Sequence, residues 1–237
     1  MARNGTEPEP AAVAPPPTGF ETGSRTGLRR RDAAATRARI LRAATEEFTR
    51  HGLAGARGDR IAERANSSER MVYYYFGSKQ GLYREVLDAV YVALRQAERS
   101  LSLDGLEPEA ALSTFCRFVW RYYLEHPEFI GLVNAENLHE ARQLRRSPRL
   151  DELVSPVVEL LGDLVRRGVR AGVFREDIDP TQLYIAIAGC GYFYLSNTHT
   201  LSAVLGRSLR EPEHIEAHWR ASEDMILQFV RRGPGRG

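Results

Sequence analysis

Lysine is almost missing from this sequence: Lys79 is the only one among 33 basic residues. Positive charge therefore rests on arginine, whose planar fork suits phosphate and guanine, although GC-rich coding bias yields the same composition. Cysteine is scarce too. Cys116 and Cys190 support neither a disulfide framework nor a zinc site. They read as two buried thiols of a reducing cytosol, with a redox-sensing pair as the alternative. No long apolar run is present. The longest, Leu183 to Leu195, is broken by Gly189 and Gly191 and is too short to span a bilayer, so it reads as a core helix. The N-terminal residues lack the apolar stretch of a signal peptide, so a cytoplasmic, nucleoid-associated protein without membrane contact is expected. Paired carboxylates, a nucleophile elbow, a phosphate loop and a metal-ligand cluster are missing as well. That argues against the main rival class, an enzyme or helical small-molecule carrier, and no cofactor or metal is expected.

What is present is uneven charge. Residues 25–84 hold 14 Arg/Lys against 6 Asp/Glu, a net +8, whereas the whole chain is only +2. A basic N-terminal third on a mildly acidic remainder points to a polyanionic partner for that third alone. A non-specific DNA-packaging protein shares this feature and differs in having little sequence preference.

Proline and glycine punctuate the chain. Residues 1–24, with Pro8, Pro10, Pro15, Pro16 and Pro17, cannot bury enough apolar area to offset chain entropy and are expected to be disordered. Arg25 to Arg31 form a basic arm that either enters a DNA groove or stays solvated, so residues 1–31 are taken as an N-terminal arm. From Thr36 the spacing predicts helix almost throughout. The first helix carries Ile40, Leu41, Ala44 and Phe48 and stops at Gly52. Short helices follow over Gly58–Arg64 and, capped by Ser68, Glu69–Tyr75. Ser78 caps a fourth helix. Pro108, Pro127, Pro180 and Pro212 open later helices, one running to His126, the next to about Leu144, and the last two to about Leu205 and Arg231. Ser155-Pro156 either starts a helix or bends one begun near Leu150. The class is all-α, with about nine helices and no strand.

The segment from Asp59 to Phe76 reads as two short helices joined by a tight turn. Ala62 permits close crossing, and Asn66 tolerates a left-handed backbone in the turn. Val72 and Phe76 face inward, which leaves Ser67, Glu69, Arg70, Tyr73 and Tyr74 outward on a helix that fits the major groove. Arg70 is the best candidate for reading guanine, with a phosphate contact as the alternative, and a core position is the alternative for Tyr73. The run from Thr36 to Leu87, with TRARILRAATEEF, IAERA and YYYFGSKQGLY, resembles the DNA-binding domain of the TetR family. The resemblance implies an N-terminal helix-turn-helix domain (32–80) and a C-terminal ligand-binding and dimerisation domain (81–237). By position it implies phosphate contacts for Tyr73, Tyr75 and Lys79, and a groove-facing set of Ser68, Glu69, Arg70 and Tyr74. Arg37 and Arg57 complete the expected DNA-binding group. Ala56-Arg57 stands where the family usually has Thr-Thr, so a hydroxyl cap on the second helix is missing.

The remainder is rich in aromatic residues interspersed with polar ones. Phe115, Phe118, Trp120 and Tyr123, then Asn134, Asn137 and His139, then Tyr184, Tyr192, Phe193 and Asn197 are the candidate lining of an effector pocket; a plain packed core is the alternative. The region from His126 onward is similar to family members related to pyrimidine-responsive regulators. That implies a pyrimidine-like effector, and a planar aromatic or lipophilic compound fits the lining equally well. The last two helices bear Ile185, Leu195, Ile215, Trp219, Ile226 and Phe229. The resemblance implies that they form a homodimer, as two-fold reading of a palindromic double-stranded operator requires. The expected function is a repressor released from its operator by a small-molecule effector, with a ligand-dependent activator or corepressor-type regulator as the alternative. His214 and His218, one turn apart, lack an evident third metal ligand and read as surface or interface histidines.

Overall fold

The computed structural model describes residues 22–233, and helices account for most of them. In chain order these are α1 (Thr22–Gly55), α2 (Gly58–Arg64), α3 (Glu69–Phe76), α4 (Lys79–Arg99), α5 (Pro108–Glu125), α6 (Pro127–Leu138), a 3₁₀ turn (Leu144–Arg146), α7 (Leu150–Arg170), α8 (Pro180–Leu205) and α9 (Pro212–Val230). Among the described residues the only extended pairing is an isolated bridge between Phe174 and Arg231. No helix among them is long and apolar enough to cross a membrane.

Caps and first-turn prolines together explain most helix starts. Ser68 and Ser78 accept from the backbone N–H groups of Met71 and Gly81, and Asp179 accepts from Thr181. Pro108, Pro127, Pro180 and Pro212 each occupy a first turn, where the missing N–H costs nothing. Pro156 lies inside α7, which selects the reading of a helix begun near Leu150 over a new start at Pro156.

Three expectations need correction. The first helix begins at Thr22, not near Thr36, so residues 22–31 of the expected disordered arm are helical. No proline or capping break separates them from the alanine-rich stretch after Asp32, and the helix extends backward. Residues 1–21 of that arm lie outside the described residues. Helix α6 ends at Leu138 rather than Leu144, because the Glu136 carboxylate accepts from the backbone N–H groups of Gln143 and Leu144 at 3.1 and 2.9 Å. Trp219 and Ile226, expected at a mating face, are buried in the chain's own core.

Two apolar clusters organise the packing. One joins α1, α2, α3 and the first half of α4 through Phe48, Ile61, Val72, Leu82, Tyr83 and Val86. The other joins the second half of α4 to α5, α7, α8 and α9 through Leu94, Phe115, Trp120, Leu161 and Trp219. A division at residue 81 therefore falls within one continuous helix whose two halves serve different cores. Leu132 of α6 also belongs to the N-terminal cluster, so α4 and α6 both tie the halves together.

Candidate nucleic-acid interface and effector cleft

Helices α2 and α3 form the expected helix-turn-helix. Ile61 and Ala62 are buried where the helices cross, and Asn66 takes φ 46° in the turn. The crossing is close: a β-carbon on Gly58 would lie 3.0 Å from the Tyr73 hydroxyl and 2.8 Å from Glu69 Oε1. In place of a hydroxyl cap, the Arg57 backbone N–H donates to Glu47 Oε1 at 3.3 Å. Glu47 is fully buried beneath α2, and its other oxygen has no hydrogen-bond partner among the described residues.

The outer face of α3 carries Glu69, Arg70, Tyr73 and Tyr74, all exposed, with Ser68 exposed at its cap. Tyr74 is 77% exposed, far more than a tyrosine needs for folding. Tyr73 donates weakly to Glu69 at 3.5 Å. Ser67 is half-buried in the turn, and Tyr75 is half-buried with its ring edge-on to Tyr74 and Phe76.

The other three expected DNA contacts have partners within the chain. Arg37 pairs with Glu85 at 2.8 Å and stacks over Phe76, tying α1 to the α3–α4 junction. The Arg57 guanidinium pairs with Asp59, whose hydrogen bond to it holds the Asp59 carboxyl below the usual carboxylate range. The Lys79 ammonium donates to the carbonyls of Ala56 and Ala54 at 3.0 and 3.3 Å, which leaves one of its three donors uncommitted.

In the C-terminal half a cleft of about 400 Å³ opens between α5, α6, α8 and the start of α9. Tyr123, Asn134 and His199 line it, together with Ile130, Gly131 and Arg210, three residues that sequence periodicity did not single out. Asn134 Oδ1 accepts from the Tyr192 and Ser196 hydroxyls at 2.5 and 2.9 Å, and Asn137 donates to the Tyr192 hydroxyl at 3.1 Å. With its oxygen so occupied, the Asn134 amide presents its NH₂ as the free donor at the cleft.

The remaining candidates are dispersed. Phe115 and Trp120 are buried in the core, Trp120 against Tyr194, His218 and Trp219. Phe118 is half-buried beside Tyr122. Phe193 and His139 are exposed, and Asn197 bonds back to the Phe193 carbonyl. Tyr184 accepts from Arg95 at 3.0 Å in a second polar cluster, where Arg95 and Glu98 pair while almost fully buried. Burial outweighs Arg95 and pushes the Glu98 carboxyl up to about 7. The Cys116 and Cys190 thiols are also pushed up by burial, which disfavours the reactive thiolate. His214 bonds to the Ser208 carbonyl and His218 to the Cys190 carbonyl. They do not share a site, and no metal-binding group of three ligands exists among the described residues.

On the outside of α8 and α9, Ile185, Phe193, Val204, Leu205, Met225 and Phe229 are exposed apolar residues.

A family model described as bacterial regulatory proteins, tetR family, matches residues 40–86. A tetracyclin repressor-like C-terminal domain model matches residues 108–226. The chain is 41% identical over 209 residues to the HTH-type transcriptional repressor NicS of Pseudomonas putida, covering 88% of this chain and 98% of NicS. It is 31% identical over 213 residues to the HTH-type transcriptional regulator RutR of Escherichia coli, covering 87% and 95%. Among solved structures, the transcriptional regulator SCO4942 from Streptomyces coelicolor matches with a TM-score of 0.64 and 28% identity, over 84% of this chain and 99% of that one. The ketosteroid transcriptional regulator KstR2 of Mycobacterium tuberculosis shares the fold at a TM-score of 0.62 and 18% identity, over 83% and 95%.

Proposed function

The chain belongs to the TetR family of DNA-binding bacterial transcriptional regulators, and from that premise we propose that it is a repressor whose homodimer leaves a palindromic operator when a small molecule enters the α5–α6–α8–α9 cleft. The observation that carries the DNA half is the exposed face of α3, with Arg70, Tyr73 and Tyr74 on a short helix capped by Ser68. Arg70 reads a base edge, and Tyr73 and Tyr74 meet the groove wall. Lys79 offers its remaining donor to a phosphate while fastening α4 to the end of α1. Two such helices are needed, because one reads too few base pairs, and the apolar outer faces of α8 and α9 supply the pairing surface.

The effector half follows from the cleft. A planar ring fits against Tyr123 and Ile130, with an acceptor atom on the Asn134 amide. Such a ligand presses on α6, one face of which borders the cleft while Leu132 packs into the helix-turn-helix core. Ligand changes DNA affinity only if it binds the two orientations of the DNA-binding half unequally. The chain's regulatory role is non-enzymatic, and it acts in the compartment that holds the DNA.

The test is gel-shift competition at about 150 mM salt, an ionic strength that screens loose charge attraction. DNA from upstream of the chain's own gene should outcompete random duplex. Equal competition would defeat the repressor reading in favour of non-specific packaging.

A further inference from the structure

Between α6 and α7 the chain passes through a turn that carries Arg142, Arg145, Arg146 and Arg149 against a single acid, Glu140. All four arginines are exposed. The guanidinium groups of Arg142, Arg145 and Arg146 enter no hydrogen bond or ion pair among the described residues. This is unspent positive charge outside the helix-turn-helix.

The turn is firmly held. Glu136 accepts from two of its backbone N–H groups. Arg84 of α4 donates to Gln143 at 3.2 Å, Ser147 donates to Asp88 of α4 at 2.5 Å, and Leu144 packs against the N-terminal cluster. Glu140 and Ala141 both adopt left-handed backbone, φ 58° and 54°, which is costly for residues with a β-carbon. Strain retained in a rigid, exposed, highly charged turn calls for a function.

Its position supplies one. Arg84 and Asp88 lie five and nine residues beyond Lys79, so the turn grips α4 about 8–14 Å along the axis from the helix start. The turn is thus fastened to the same helix α4 whose first residues adjoin α3, and duplex DNA seated on α3 carries dense negative charge. We propose that the arginine turn is a second DNA-contacting surface, which takes backbone phosphates of the same duplex that the helix-turn-helix reads. The proposal rests on the DNA-binding reading above and adds a contact from the C-terminal half. Because phosphates carry no sequence information, the turn raises affinity without choosing the site.

The experiment replaces both Arg145→Gln and Arg146→Gln and measures binding to a duplex that the unaltered protein has enriched from a random pool. Each lost phosphate contact flattens the plot of log affinity against log salt by about 0.9, so the double variant should lose one to two units of slope. Affinity should fall roughly tenfold at low salt, with ranking among half-site sequences and melting temperature unchanged. Lysine at both positions should restore most of the slope. An unchanged slope with intact binding overturns the proposal and points to an acidic protein partner for the turn. Failure to enrich any duplex overturns the DNA-binding reading first, and this proposal with it.

Discussion

Thr49 of α1 and Gly131 of α6 meet so closely that a β-carbon at position 131 would lie 2.8 Å from Thr49 Cγ2. Thr49 cannot easily turn away, because its hydroxyl donates to the Thr45 carbonyl at 2.7 Å. Gly131 also borders the cleft between α5, α6, α8 and α9, so one residue touches both the cleft and the helix that carries the DNA-binding core. Gly131→Ala should push α6 off α1 at an overpacking cost of about 1–3 kcal/mol. The expected outcome is a lower melting temperature and a several-fold shift in operator affinity, with the α3 surface untouched. Unchanged melting and binding would show that α6 does not transmit between the halves.

A second close approach holds the recognition helix. Gly81 sits in the first turn of α4, and a β-carbon there would lie 2.3 Å from the Phe76 carbonyl oxygen. Backbone cannot yield as a flexible side chain does, so Gly81→Ala should displace α3 from α4. Gel shift should report lost operator binding, while sedimentation should still report a folded dimer, since α8 and α9 are remote from the change. Retained DNA binding would contradict the rigid junction.

Much of this architecture was readable locally. Ser68, Ser78, Asp179 and the first-turn prolines mark helix starts through short-range chemistry, and Asn66 announced the left-handed turn between α2 and α3. Interactions across the chain were not readable in this way. Nothing near Glu136 in sequence signals that its carboxylate folds back to residues 143 and 144 and ends α6. The aromatic face of α5 was visible, but periodicity identifies a face and not what covers it. Phe115, Trp120 and Tyr123 therefore all proved to be core, and of the three Tyr123 also lines the cleft. The burial of Glu47, Arg95 and Glu98 was equally hidden, because a charged residue reads as a surface residue until its partners are known.

Arg70 and Lys79 should separate specificity from positioning. Arg70→Ala should relax preference at one base pair by about 1–3 kcal/mol if it reads guanine. Binding measured against a panel of single-base operator variants decides this: a uniform loss across the panel assigns Arg70 to phosphate. Lys79→Ala removes two intramolecular hydrogen bonds from the carbonyls of Ala54 and Ala56. It should lower both melting temperature and affinity, without altering preference among the variants.

The buried pair in the second core should make stability depend on pH. Glu98 sits at about 7 against its usual 4.5, because desolvation outweighs the pull of Arg95. A raised carboxyl binds its proton more tightly in the folded chain than in the unfolded one. The stability this provides is complete below pH 4.5 and is lost as pH rises through 7, where folding must hold a buried carboxylate. Glu98→Gln keeps the shape and removes the titration. Its melting temperature relative to the parent should therefore rise across pH 4.5–7 and level off above. A difference that stays flat across that window would mean that Arg95 keeps Glu98 ionised throughout, with the carboxyl at or below its usual range.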